Sequence, residues 1–382
     1  MTAAADDSWD LVVVGAGPAG AAAALGARRA RPDARVLLLD RADFPRDKSC
    51  GDGVAPHALD ELARLGAADV LADRFPVRRL SLRSPGGREV AQRMRRPTYV
   101  VPRTLLDARL VDAAVAAGAV LRRHTVRRLD VRSDGVVLDG DVHARAVVGA
   151  DGANGVVRRL LGLGRQPLDC LALAVRGYAP SRTGEPEQRI VMDSRGWPAY
   201  AWSFDTGDGT ANVGFGMLLP QLQALGHGRA QLHDRLAELL PGVEAERLVS
   251  HYLPLSSARP AVPAGRVLLA GDAMSLINPL TGEGIYYALH SGRLAGRAAV
   301  LAGDPGAAYA GALRAELGRH LRHTTVLNRL TRRSGVVDAG VAAAGRSPRA
   351  FDALVEVGLG RGLITAPLVG GMAGHVARRL VR

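Results

Sequence analysis

The chain has 382 residues, is 47% hydrophobic, and carries a formal net charge of +13. That length predicts two domains, and the apolar fraction is ample for folded cores. No stretch of 18 uninterrupted apolar residues is present, so no spanning helix is expected, and two cysteines, Cys50 and Cys170, exclude a disulfide framework. The N-terminus lacks the basic-then-apolar layout of a secretion signal, and a cytoplasmic location is expected. Of 50 basic residues only Lys48 is a lysine; arginine is spread everywhere without interleaved aromatics. The charge therefore reads as compositional bias and not as a nucleic-acid surface, while peripheral attraction to anionic lipid stays open.

Leu11–Val14 has strand length and composition. It runs into Gly15-Ala-Gly17-Pro18-Ala19-Gly20 and then an Ala-rich helical stretch. Arg35–Asp40 follows as a second buried parallel strand, with Asp40 lying 20 residues past Gly20. The first glycine permits a tight turn, the second lets the backbone approach a pyrophosphate, and the third lets helix pack on strand. Asp40 is placed to accept from ribose hydroxyls, so a bound dinucleotide is expected.

The next loop, Pro45-Arg-Asp-Lys48-Ser-Cys50-Gly51-Asp-Gly53, holds the only lysine, where a compact point charge differs from a guanidinium. Cys50 sits between that lysine and two glycines; its thiol can pack softly, donate a proton or influence a nearby cofactor. Cys170 lacks such a context and reads as core. Arg79–Ser84 alternates and meets a Pro85-Gly86-Gly87 turn, which predicts a hairpin. In Ala199–Asp205 a strand places Tyr200, Trp202 and Phe204 on one face, with Val213-Gly-Phe215 as the return strand. Only 3 Trp, 7 Tyr and 5 Phe exist, so this stripe is concentrated. Core packing is the usual meaning of such a stripe.

Arg266–Ala270 reads as a strand, followed by Gly271-Asp272 and the segment Asn278–Gly292, a glycine-rich entry to a helix. Ile277, Ile285, Tyr286 and Tyr287 cluster here although the chain has few of either type. Amides at such a helix start favour anionic or electron-rich groups. After Asp304-Pro305 the pattern turns helical, and Ser347-Pro348 is a cap and first-turn pair. Residues 363–377 are mostly apolar and end in Arg378-Arg379; they read as a core or cavity-lining helix, with an interfacial anchor as the second reading. His320 and His323 lack metal-ligand partners at usable spacing and are expected on a solvated face, so no metal site is predicted.

Taken in order, Gly15–Gly20, Pro45–Gly53, Arg103 with Asp107, Asp151-Gly152 with Val157-Arg158, Gly271-Asp272 and Asn278–Gly292 resemble the geranylgeranyl reductase family. This is a group of FAD-dependent oxidoreductases within the aromatic hydroxylase superfamily. The resemblance implies an α/β fold: a Rossmann-like FAD-binding domain interleaved with an α+β substrate domain, then a helical C-terminal region. The expected boundaries are 1–75, 100–165 and 255–305 for the FAD domain, 76–99 and 166–254 for the substrate domain, and 306–382 for the helices.

The resemblance further implies that pyrophosphate lies on Gly15, Gly17, Pro18, Ala19 and Gly20, and ribose on Asp40. Lys48, Cys50, Gly51, Gly53 and Val126 join the cofactor-binding set. Arg103 adds positive charge near the phosphates or ribityl, Asp272 binds ribityl hydroxyls, the amides of Gly284 and Ile285 face the flavin N1/O2 edge, and Gly282 joins the cofactor-binding set. Cys50, Tyr200 and Trp202 become the catalytic candidates; Tyr200, Trp202, Phe204 and Asn278 contact substrate. Asp205 stands where the family pattern has proline, which bears on substrate identity.

The expected activity is reduction of a carbon–carbon double bond in an isoprenoid or related apolar molecule by hydride from flavin N5. The external reductant is NAD(P)H or a ferredoxin-like protein. A flavin hydroperoxide hydroxylase and a non-catalytic flavin-containing carrier accommodate the same motifs.

Overall fold

The computed structural model describes residues 8–164 and 166–364. Two sheets dominate it. The first has the order β6 (Val120–Arg123), β2 (Val36–Asp40), β1 (Ser8–Val14), β9 (Val142–Gly149), β8 (Val136–Leu138), β7 (Leu129–Val131), with β15 (Val267–Leu269) also paired to β9. Its centre is parallel: Leu11 to Val14 of β1 pair with Val36 to Leu39 of β2 on one side, and β9 pairs on the other. Strands buried on both faces read as unbroken apolar runs, which is why Val12-Val-Val and Leu37-Leu-Leu carry no alternation.

Helix α1 (Pro18–Ala30) packs on this sheet and against α7 (Ile285–Leu301). Their approach is close because Gly292 and Gly296 lie against the carbonyls of Ala19 and Ala23, where a Cβ would overlap backbone. Alanine along α1 and glycine along α7 thus set the spacing. Helices α2 (Pro56–Leu65), α3 (Arg103–Ala116) and α4 (Val156–Leu160) complete this half.

The second sheet has the order β14 (Glu246–Pro254), β10 (Leu171–Pro180), β13 (Thr210–Leu218), β12 (Ala199–Asp205), β11 (Glu187–Met192), β4 (Val77–Arg83), β5 (Glu89–Val100), β3 (Gly53–Val54). The hairpin read around Pro85-Gly86-Gly87 is β4–β5, with Leu80 opposite Gln92. Helices α5 (Leu219–Ala224) and α6 (Arg229–Leu239) cover part of one face. The short strand β3 is the exception to a simple partition: it follows the Cys50 loop directly and pairs with β5 in this second sheet.

The helical continuation after Asp304 is α8 (Pro305–Thr331), α9 (Ser334–Arg346) and α10 (Pro348–Leu359). Asp304 caps α8 through Ala307 N–H, and Ser347 caps α10 through Ala350 N–H. Leu80, Leu82, Val90 and Met94 of the β4–β5 hairpin form a satellite core with Val341, Phe351 and Val355 of α9 and α10. No helix among the described residues is long and apolar enough to cross a membrane. Most of the apolar helix read at 363–377 lies outside the described residues.

Candidate active site

The glycine-rich turn forms as its composition requires. Gly15 has φ +99°, and a Cβ at Gly20 would overlap the carbonyl of Gly15, so the third glycine permits the helix to start directly under the strand. Helix α1 begins with no side-chain cap and with Pro18 in its first turn, leaving its first amides without side-chain partners. Two guanidiniums converge there. A Cβ at Gly17 would lie 3.4 Å from Arg46 and 3.7 Å from Arg103. Arg103 is buried and grips Asp107 with two bonds of 2.6 and 2.7 Å, while Arg46 lies 3.2 Å from Asp107 and 3.7 Å from Asp40. Uncapped amides with two arginines fit an anionic pyrophosphate. Asp40 accepts from Ala16 N–H at 2.8 Å, which fixes its carboxylate at the end of β2 beside this turn.

Below the turn, Asp151 accepts from Val157 N–H at 3.0 Å, and Arg158 donates to Ser275 Oγ at 2.7 Å. The Asp-Gly and Gly-Asp motifs are thereby tied together. Val126 is packed in the first core, so only its backbone is available to a ligand.

The loop after β2 and the turn Gly271–Met274 meet through Lys48 and Asp272, 2.9 Å apart. Burial opposes ionisation of Asp272, but Lys48, then His251 and Arg103, hold its carboxyl below the usual range. Burial and the nearby Lys48 push His251 down to about 4. Its Nε2 is buried without a protein partner and borders the cavity described next, so a neutral ring nitrogen is left for a ligand.

A cavity of ≈350 Å³ lies between the two sheets, α7 and the C-terminal helices. Pro18, Lys48, Cys50, Gly51, Gly53, Arg103 and Asp272 border it on one side, with Gly282, Gly284 and Ile285 at the start of α7. Tyr200, Trp202 and Phe204 form a wall from β12, with centroids 6.0 and 6.3 Å apart in sequence along the strand. The rest is largely apolar: Leu80, Leu82, Ile190 and Met192 from the second sheet, and Leu327, Val337 and Leu354 from the helices. The sequence-predicted residues at Lys48–Gly53, Arg103, Tyr200–Phe204, Asp272 and Gly282–Ile285 are thus brought to one space.

Asn278 is not on that space. Its side-chain amide is buried, donates to Tyr287 Oη, Val357 O and Gly358 O, and accepts from Leu280 N–H. It ties the glycine-rich segment to the end of α10, which corrects its reading as a substrate contact. His320 is likewise not on a solvated face: it is buried, with Nε2 2.6 Å from Tyr287 Oη and Nδ1 2.7 Å from Gly362 O. Both corrections have one cause, since Tyr287 is turned into a polar knot beneath α10 that no local sequence pattern announces. Asp205 accepts from Ser181, Thr183 and Glu187 N–H and anchors strand ends away from the cavity.

Several residues of the site carried no sequence role. Asp52 is fully buried with φ 59°, a left-handed conformation costly for a residue with a Cβ. Its carboxyl accepts from Tyr178 Oη and from Asn212 Nδ2 (2.8 Å), and burial raises it to about 6 against these bonds and Arg176. Asn212 also donates to Cys50 O at 2.8 Å and accepts from Trp202 Nε1 at 2.8 Å. One side chain therefore links the Cys50 loop to the aromatic wall. Arg176 adds bonds to Cys50 O and Lys48 O. Asp52 N–H points to Cys50 Sγ at 3.3 Å, while burial pushes the thiol up, so Cys50 is a neutral thiol at the cavity edge. Arg46, Asp52 and Glu283 stood inside quoted motifs; Asn212, Tyr178 and Arg176 had no local signal.

Known proteins resemble this chain in sequence and in fold. Residues 8–173 match the model of the FAD binding domain. The chain is 37% identical over 311 residues to a menaquinone reductase of Mycolicibacterium smegmatis, covering 75% of each. It is 35% identical over 314 residues to digeranylgeranylglycerophospholipid reductase 1 of Methanopyrus kandleri, covering 76% of this chain and 80% of that one. A geranylgeranyl bacteriochlorophyll reductase-like structure from Thermoplasma acidophilum superposes with TM-score 0.80 over 98% of both chains at 20% identity. A triple mutant of a flavin-dependent brominase shares the fold at TM-score 0.76 and 18% identity, over 98% of this chain and all of that one. With two substantial relatives named as reductases and an FAD binding domain matched over residues 8–173, the chain belongs to the geranylgeranyl reductase family of FAD-dependent oxidoreductases.

Proposed function

We propose that this enzyme reduces carbon–carbon double bonds of an apolar, isoprenoid-like substrate. The observation that carries this reading is the continuity of one cavity, from Lys48, Arg103 and Asp272 past Cys50 to the Tyr200–Trp202–Phe204 wall and on between apolar side chains. When bound, reduced FAD supplies hydride from N5. Gly17, Arg46 and Arg103 would hold its pyrophosphate, Asp40 its ribose, and Asp272 its ribityl hydroxyls. Cys50, Trp202 and Tyr200 would press the reacting bond into place and exclude water. Leu80, Leu82, Leu327 and Leu354 would take the apolar remainder of the substrate. NAD(P)H or a ferredoxin-like protein is proposed as the external reductant. A cytoplasmic site of action, with peripheral contact to lipid, suits a substrate of this kind.

The test is anaerobic photoreduction of the purified protein followed by addition of candidate alkenes. Flavin reoxidation with a saturated product is expected. Oxygen-dependent reoxidation with an oxygenated product points instead to a hydroxylase, and a flavin that no alkene reoxidises points to a carrier.

A further inference from the structure

We propose that Glu283 is the acid of the reaction, delivering a proton to one carbon of the double bond while the other carbon receives hydride. The inference rests on the double-bond reduction proposed above and assigns its second hydrogen. Glu283 lies between Gly282 and Gly284 at the entry to α7, is buried, and borders the cavity. One carboxyl oxygen, Oε1, accepts from Tyr286 N–H at 2.8 Å, which fixes the side chain against the helix. The Ile285 amide also favours its charge, and no side chain among the described residues hydrogen-bonds the carboxyl, which borders the cavity.

The groups around it are committed elsewhere. Tyr200 of β12 donates its hydroxyl to Thr281 O, so its proton is already used. Asp272 of the Gly271–Met274 turn, which lies against Gly284, is paired with Lys48. Tyr287 on α7 is bonded to His320 of α8 and to Asn278. No arginine, lysine or histidine among the described residues pairs with Glu283. Burial therefore outweighs the helix amides and raises the carboxyl to about 7. Such a group is about half protonated near neutrality and gives up its proton at modest cost.

The balance is complete. The π bond breaks and two C–H bonds form, one from the hydride of the reduced flavin and one from the Glu283 proton. The alkene is reduced, the flavin is oxidised, and the carboxylate is reprotonated from water. Glu283 also serves α7 as a cap, so the discriminating variant is Glu283→Gln. The amide keeps an oxygen for Tyr286 N–H and the same shape but has no acidic proton.

The experiment uses the FAD-loaded protein. Flavin occupancy, thermal stability and alkene turnover after photoreduction are measured for wild type, E283Q and E283A across about pH 5–9. Infrared titration of substrate-free wild type against E283Q reads the carboxyl directly. The expected result is an E283Q protein that keeps FAD and stability but turns over roughly 100- to 10,000-fold more slowly. It also loses the decline in rate that wild type shows above about pH 7, and the carboxyl band absent from E283Q titrates near that pH. Wild-type turnover and pH profile in E283Q overturn the proposal, as does loss of FAD in E283Q, which would make the role structural. A wild-type enzyme that no alkene reoxidises removes double-bond reduction itself, and is recognised before any variant is compared.

Discussion

Lys48 places its ammonium 2.9 Å from the Asp272 carboxylate, joining segments 224 residues apart. The only lysine of the chain therefore closes the ring of elements around one end of the cavity. Lys48→Met leaves Asp272 without its nearest cation. Both side chains retain some solvent, so a loss of about 1–3 kcal/mol is expected and not the full penalty of a deeply buried pair. Because Asp272 is held below its ordinary value, the contribution of the pair is present above the usual carboxylate range and is lost as pH falls through the folded-state value. Thermal denaturation and FAD occupancy measure it; unchanged values in both would show that the pair holds nothing. Asp272→Ala is expected to release FAD more readily than wild type.

Cys50→Ala and Trp202→Ala are each expected to keep FAD and lose turnover. Trp202 is both cavity wall and hydrogen-bond donor to Asn212, whose other bonds run to Cys50 O and Asp52. Misplacing a substrate by about 1 Å costs on the order of a hundredfold. Trp202→Phe separates the parts: it keeps a ring but strands Asn212 Oδ1, at about 1–3 kcal/mol. A yellow, folded and fast Trp202→Phe protein would show that the link from Asn212 to the wall is dispensable.

Asp52 predicts a pH dependence of stability. Its carboxyl rises from 3.8 to about 6 on folding, chiefly by burial. A raised acid stabilises fully below its unfolded value, and that contribution is lost as pH rises through about 6. The loss amounts to roughly 3 kcal/mol at most. Asp52→Asn should flatten the fall in melting temperature between about pH 4 and pH 6. A slope identical to wild type would place the titration elsewhere.

Glu61 predicts the opposite slope. Burial disfavours its charge, but hydrogen bonds and charge from His290 and Arg293 lower it to about 2. Its stabilisation is present above the ordinary 4.5 and is lost as pH falls toward 2. Glu61→Gln leaves Arg293 and His290 with Glu316 as the acid still beside them and should cost about 1–3 kcal/mol, read by chemical denaturation at neutral pH. A cost below about 1 kcal/mol would mean that solvent already screens the cluster.

The nucleotide half was legible because its rules are local. Gly15, Gly20 and the apolar runs at Leu11–Val14 and Val36–Asp40 act over a few residues, and each demands one backbone form. The aromatic stripe was legible for the same reason, since alternation puts Tyr200, Trp202 and Phe204 on one face. What the sequence hid depends on distant pairing. Asn212 gains its meaning only when β13 is laid beside β12 and the Cys50 loop drops onto it. Asn278 looked like a site residue because its neighbours are; its side chain turns away to backbone carbonyls of α10, a contact across 79 and 80 residues. His320 was misplaced because helical spacing alone does not reveal what covers a helix.

The Cys50 loop leaves β2 in one sheet and enters β3 in the other, so its two ends are fastened to different sheets. It works as a tie-rod: Asn212 and Arg176 fasten Cys50 O to the sheet that also carries Trp202, so thiol and ring travel together when one sheet slides against the other. The displacement falls instead on the stretch between Asp40 and Lys48 and on the Lys48–Asp272 pair. An engineer reshaping the far end of the cavity would have to keep that stretch slack enough to follow.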